Sequence, residues 1–360
     1  MIHPRTIVLV LALTVSDGLN AQSPRPRRYA VKPLPSLGGG DCKAMALNHV
    51  AQIVGSYRSV DRLRSVTTRM AFLFEQERLW QLPMGGLSLS GNPGGTGPPS
   101  ESRAVDVNDG GIAVGWVRRA APKAQLAWEA VSWDWKRQTM SRVPIGAGQN
   151  SFAYGVNLHG DIVGTYENAK GDTRAFLWPA AKPERIVDLG TLGGSIASAS
   201  AINDHQQITG ASTTREGAQR AFIHTDGKLK TVGTLGGPIS QGNAINSNGD
   251  VAGVSQTRTG KFHAFLFQDG KLLDLGTLGG NFSYASGIYG TMVVGKAEDK
   301  GLVARAFLFD GKRMWDLNQL LPRAGDWFLT EALDVNSKGQ ILCMARSSSG
   351  RLHPVLLLPI

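Results

Sequence analysis

The sequence predicts an all-β protein: a seven-bladed β-propeller of four-stranded blades, its ring closed by an N-terminal strand that completes the last blade. Three observations predict it. A unit of about 43 residues recurs along most of the chain. Each copy divides into four short segments of four to seven residues bounded by Gly, Asn or Asp, too short for ordinary helices and without a sustained 3.6-residue period. The ends also complement each other. Val31 to Gly40 reads as a fourth strand with its exit, whereas the last copy stops after a third strand at Leu352 to Ile360. Sharing one blade between the two ends removes the edges that a linear array leaves exposed. An open β-solenoid is the alternative.

Taken in order, the chain begins with a basic start at Arg5, an apolar run from Ile7 to Val15 and a small-residue exit ending at Ala21. This pattern predicts a secretory signal peptide over 1–21, and the run is too short to span a bilayer. A linker over 22–30 leads into a single propeller domain over 31–360. No later stretch reads as transmembrane, so a secreted or periplasmic location is expected. In an exported chain, Cys42 and Cys343 permit one bridge, which joins the two ends of the domain. Two buried free thiols are the other reading, and nothing in the sequence fixes their separation.

Turn asparagines mark the register: Asn48, Asn108, Asn157, Asn203, Asn246 and Asn336, with Tyr289 standing in the sixth copy. A Gly follows seven residues later in five copies, at Gly55, Gly115, Gly164, Gly210 and Gly253, while Cys343 takes that place in the last. The third segment of a copy is apolar throughout, as in Ala264-Phe265-Leu266-Phe267, which predicts a strand covered on both faces. Asp226-Gly227, Asp269-Gly270 and Asp310-Gly311 predict tight hairpins between third and fourth strands. The phrase Asp-Leu-Gly-Thr-Leu-Gly-Gly, at Asp188 to Gly194 and Asp274 to Gly280, reads as the joint by which the chain leaves one sheet for the next.

These phrases, with His263-Ala264-Phe265 and the Asn-x-x-Gly turns, resemble the extracellular HAF-repeat proteins over about residues 31 to 360. The tripeptide is degraded in the first, second and seventh copies. The resemblance implies export and tandem repeats, and it carries over no activity and no catalytic residue.

Several chemical signals fail on inspection. Gly-Thr-Leu-Gly-Gly has no Lys-Ser/Thr after it and no helix to follow, so it is not a phosphate loop. His49, His159 and His205 sit on successive turns and read as hydrogen-bonded turn residues, because ligands from separate blades meet only near the axis. Asp188, Asp274 and Asp316 recur at equivalent outer positions, which argues for a structural role at the strand exit. There is no Gly-x-Ser-x-Gly elbow, no metal or cofactor signature and no specific nucleic-acid signal.

Departures from the repeat are the better guide to ligands. They are a Pro/Gly/Ser-rich insertion over 83–103, an arginine-rich segment with Arg58, Arg62, Arg64 and Arg69, and the second copy, which holds Trp116, Trp128, Trp133 and Trp135 among Arg118, Arg119 and Lys123. In a four-stranded meander the loops after strands two and four leave from one end, so these features are expected on one face. With a net charge of +10, the expected partner is an anionic glycan or other envelope polymer, held by Trp116, Arg118, Arg119, Lys123, Trp128, Arg58, Arg62 and Arg64. The expectation is therefore an exported, non-catalytic binding module. A propeller hydrolase or lyase acting on extracellular polysaccharide is the alternative, and a purely structural surface protein is a third reading.

Overall fold

The computed structural model describes residues 27–35, 42–61, 66–83, 101–120, 126–146, 149–322 and 325–360. The expected signal peptide, the first part of the linker and most of the 83–103 insertion lie outside them. Strands and a single 3-10 turn (Leu317–Leu320) make up the regular structure of the described residues.

β1 (Tyr29–Pro33) comes first. β2 (Cys42–Leu47), β3 (Ile53–Asp61), β4 (Val66–Glu75) and β5 (Arg78–Gln81) form an antiparallel sheet in chain order. The same meander recurs in β6 (Glu101–Val107), β7 (Ile112–Ala120), β8 (Leu126–Asp134) and β9 (Thr139–Arg142). It recurs again in β10 (Ser151–Val156), β11 (Ile162–Glu167), β12 (Thr173–Trp178) and β13 (Val187–Asp188). The fourth repeat contains β14 (Gly193–Ile202), β15 (Ile208–Thr214), β16 (Gln219–Thr225) and β17 (Lys228–Gly233). The fifth contains β18 (Gly236–Ile245), β19 (Val251–Thr257), β20 (Phe262–Gln268) and β21 (Lys271–Asp274). The sixth contains β22 (Gly279–Tyr289), β23 (Met292–Asp299), β24 (Ala304–Phe309) and β25 (Met314–Asp316). Single parallel pairings, Gln219 with Ile239 and Phe262 with Phe282, tie these three repeats together.

The last sheet has the order β1, β28 (Leu352–Pro359), β27 (Ile341–Ser347), β26 (Trp327–Val335). Tyr29 lies opposite Pro359 and Pro33 opposite Val355, and the Ile360 N–H donates to the Arg28 carbonyl at 2.9 Å. The strand thus starts two residues before the expected domain boundary at Val31 and ends at Pro33, and the exit expected through Gly40 lies, from residue 36 onward, outside the described residues.

Inside a repeat, the recurrent Gly faces the recurrent Phe. Gly164 pairs with Phe176, Gly253 with Phe265 and Gly295 with Phe307, and each Phe is fully buried. A Cβ on Gly253 stands 2.0 Å from the Gln241 carbonyl oxygen and 2.9 Å from the Phe265 ring. The position therefore excludes every side chain. The last repeat solves the same packing differently: Cys343 pairs with Val355, so a smaller third-strand residue leaves room for the thiol, and β26 carries a register shift at Leu329/Glu331.

The tight turns follow their residues. Asp226-Gly227 and Asp269-Gly270 both have positive φ, the two-residue hairpin that Asp-Gly favours. Asp310-Gly311 departs from that expectation. Its connection spans 310–313, and the Asp310 carboxylate instead accepts from the Lys312 and Arg313 N–H groups.

Neighbouring repeats are joined by small polar residues of the first strands. Ser102, Ser151, Ser240 and Ser283 are buried, and each hydroxyl accepts the N–H of the third-strand Ala of the preceding repeat, at Ala71, Ala130, Ala221 and Ala264. At the joints, Oδ1 of Asp188 and of Asp274 accepts the N–H two residues on, from Gly190 and Gly276. The Thr191 and Thr277 hydroxyls do the same for Gly193 and Gly279, whose φ values of 107° and 113° favour glycine. Asp316 likewise accepts from Asn318 N–H. The structural reading of these aspartates holds, and it explains the repeated phrase as a run of side-chain-closed turns.

Candidate functional site

The first strands β2, β6, β10, β14, β18, β22 and β26 all contribute to the wall of one cavity of about 310 Å³. Each carries a bulge just before its turn residue, an asparagine in six of them and Tyr289 in β22, and the extra residue re-aims a side chain. Met45, Val105, Tyr154 and Leu333 form an apolar arc of the wall, whereas Ser200, Asn243 and Ser286 form a polar one.

The turn asparagines run around this cavity as a relay. Each Nδ2 donates to a carbonyl of the following turn: Asn48 to Asn108 at 3.0 Å, Asn108 to Asn157 at 2.8 Å, Asn157 to Asn203 at 3.2 Å and Asn203 to Asn246 at 2.9 Å. Asn246 donates to the Gly290 carbonyl at 2.9 Å, and Asn336 to the Asn48 carbonyl at 3.1 Å. Each Oδ1 receives N–H groups of its own turn, as Asn336 does from Lys338 and Gln340. Only the sixth turn lacks the amide, because Tyr289 stands there.

Two carboxylates that the sequence reading missed face the cavity. Asp106 accepts from Val107 N–H at 2.8 Å and from Val156 N–H of the next repeat at 2.9 Å. Asp334 does the same with Val335 at 2.8 Å and, on the first repeat, Leu47 at 2.9 Å. Burial pushes Asp106 up to about 6 against the pull of these amides. It pushes Asp334 to about 7, and Asp106 itself adds to that rise. The signal was present in the sequence: Asp-Val-Asn at 106–108 and 334–336 replaces the Ala or Gly that the other copies place two residues before the turn residue.

Of the residues expected to bind ligand, Trp116, Arg118 and Trp128 come together. Trp116 meets Phe152 edge-on at 5.4 Å and Tyr154 at 5.8 Å, Trp128 lies 6.3 Å from Phe152, and the Arg118 guanidinium sits 5.5 Å from the Trp128 ring centre. All five side chains are partly exposed, and Arg118 also pairs with Glu101 at 3.6 Å. Arg58 is exposed on β3, across from Arg69 on β4. Arg62, Arg64 and Lys123 lie outside the described residues, as does the side chain of Arg119.

The other two tryptophans of the second repeat are structural. Trp133 is fully buried and donates to the Pro83 carbonyl, and Trp135 donates to Glu75 while leaning on Trp80. Both cysteines are buried free thiols in separate cores, Cys42 beside Leu342 and Leu356, Cys343 beside Leu308 and Leu329. The bridge that the sequence permits is therefore not formed. Burial pushes the Cys42 thiol up to about 11 and Cys343 well above its ordinary value. His49 accepts from Ser337 N–H through its ring, and among the described residues no three His, Cys, Asp or Glu converge to hold a metal.

Solved structures of similar shape settle the architecture. The β-propeller domain of the Trilobed protease from Pyrococcus furiosus superposes with a TM-score of 0.57 at 10% identity, covering 89% of this chain and 94% of that one. The fold is a β-propeller. The acylaminoacyl peptidase of Pyrococcus horikoshii matches with a TM-score of 0.54 at 10% identity over 88% of this chain and 51% of that one. A puromycin hydrolase matches at 0.50 and 13% identity over 88% and 53%. The propeller chain spans about half the length of these two enzymes. No protein-family model matches the sequence, and no curated protein does. No helix among the described residues is long and apolar enough to cross a membrane.

Proposed function

We propose that the chain is an exported, seven-bladed propeller of the HAF-repeat type, closed by β1, that acts as a non-catalytic binding module. Its partner is an anionic glycan or related envelope polymer. Seven first strands around one cavity, with β1 paired to β28, support the ring. The observation that carries the binding reading is the partly exposed cluster of Trp116, Trp128, Phe152 and Tyr154 with Arg118 over an indole face. Aromatic faces stack on sugar rings, and a guanidinium pairs with carboxylate or sulfate.

A hydrolase-associated propeller is the second reading. It is favoured by Asp106 and Asp334 on one cavity and by the peptidase neighbours of the same fold. Against it, all four oxygens of these carboxylates already accept backbone N–H groups, which fits blade fastening better than acid–base work.

An array of acidic and neutral polysaccharides and wall polymers, probed with the mature chain at two salt concentrations, tests the proposal. Uronic-acid or sulfated polymers are expected to bind, with affinity falling as salt rises. Arg118→Ala and Trp128→Ala are each expected to weaken that binding by about tenfold. Binding indifferent to both substitutions overturns the assignment of the face.

A further inference from the structure

The axial cavity has a chemistry opposite to that of the protein around it. The chain carries 38 Lys and Arg, yet the described residues of the cavity wall include Asp106, Asp109, Asp204 and Asp334 and neither Lys nor Arg. His49 is the one basic side chain there. The Ser286 hydroxyl on the polar arc is buried without a hydrogen-bond partner.

The sixth repeat breaks its own rule at the mouth of this cavity. Every other turn places an asparagine there, and the relay stops at Tyr289, whose ring crosses to meet His49 of the first repeat edge-on at 5.4 Å. Tyr289 remains 37% exposed on the cavity wall. Tyr154 supplies a second aromatic side chain on the wall. A residue that forfeits an inter-blade hydrogen bond in favour of an aromatic ring marks a position shaped by something other than the fold.

From this combination we infer that the axial cavity is a binding site for a small quaternary ammonium ion, seated between the Asp106 and Asp334 carboxylates and the rings of Tyr154 and Tyr289. A quaternary cation suits the site better than a primary amine. The oxygens of Asp106 and Asp334 are already occupied by backbone N–H donors, so what they offer, once both are ionised above about pH 7, is charge, and aromatic faces attract cations that bring no hydrogen-bond donors of their own. The site shares Tyr154 with the aromatic and basic face proposed for polymers, but its acidic wall has the reverse charge preference and Tyr289, Asp106 and Asp334 belong to it alone.

Calorimetric titration of the full chain with choline tests this inference, with its neutral isostere 3,3-dimethylbutan-1-ol and with 1,4-diaminobutane as comparisons. Saturable one-to-one binding of choline is expected, with the isostere and the diamine at least about tenfold weaker. Tyr289→Asn, which installs the residue used by the other repeats, is expected to weaken choline about tenfold without loss of thermal stability. Asp334→Asn is expected to weaken it at least as much; should that variant fold poorly, Asp204→Asn at the rim serves in its place. No binding of choline, equal binding of the neutral isostere, or affinity unchanged in the folded Tyr289 and Asp variants overturns the inference.

Discussion

Asn336 Nδ2 donates to the carbonyl oxygen of Asn48 at 3.1 Å, joining the last repeat to the first across 288 residues of sequence. It is the same bond by which Asn48, Asn108, Asn157 and Asn203 each hold the next turn asparagine, whereas Asn246 holds Gly290. Asn336 is fully buried and makes four hydrogen bonds, to Asn48, Lys338, Gln340 N–H and the Gln340 side chain. Asn336→Ala leaves several of these groups unpaired, and an unsatisfied buried group costs about 1–3 kcal/mol. Denaturant unfolding is expected to show a loss at or above the upper end of that range.

The sixth turn gives the converse prediction. Tyr289→Asn gives the sixth turn the residue type by which the other turns donate to their neighbours. Melting is expected to show stability unchanged or raised by up to about 1 kcal/mol, the net value of one hydrogen bond. A clear loss contradicts the relay as a source of stability.

Gly253 is predicted to tolerate no side chain. A methyl group there meets a backbone carbonyl at 2.0 Å and the buried Phe265 ring at 2.9 Å, so the strand must shift. Gly253→Ala is expected to destabilise by about 3 kcal/mol, the overpacking range. Gly270→Ala, at a turn with nothing nearby but a φ of 72°, isolates the smaller cost of backbone strain alone.

Stability is expected to respond to pH through Asp106 and Asp334. Both are raised in the folded state, to about 6 and about 7, so the native state holds protons that the unfolded chain releases above its ordinary value near 3.8. Their contribution is fully present below pH 4 and is lost as pH rises through 6 to 7. Asp188 and Asp310, lowered in the folded state, act in the opposite sense and lose their contribution only as pH falls below 4. Unfolding free energy between pH 4.5 and 7.5 is therefore expected to decline, with a flatter profile in Asp106→Asn and Asp334→Asn. A profile unchanged by both substitutions contradicts this assignment.

What the sequence made legible was whatever the repeat states many times. Asn246, Gly253, Phe265 and Asp274 could each be read because copies elsewhere show the same residue under the same constraint. The propeller class and the structural role of the joint aspartates followed from that redundancy. Single departures were harder. Trp116 and Trp133 lie in adjacent strands of one repeat, yet one is partly exposed beside an arginine and the other fully buried, a difference set by which strand face each occupies. Asp106 and Asp334 were overlooked because an aspartate beside a turn is ordinary in sequence; only convergence of the first strands places both on one cavity. The cysteines lie near opposite ends of the domain, and packing in separate cores keeps them apart.

Closure of the ring by β1 is the claim on which the blade count, the axial cavity and the shared face all depend. Ala30 and Leu358 are cross-strand partners on β1 and β28, and both are partly exposed. Paired strands hold such Cα atoms about 4.5–5.5 Å apart, within disulfide range. Ala30→Cys with Leu358→Cys is predicted to oxidise to a single bridge in the folded protein and to raise the melting temperature, while Cys42 and Cys343 stay silent to thiol reagents. Two new thiols that remain free and reactive in the native protein would contradict the closed ring.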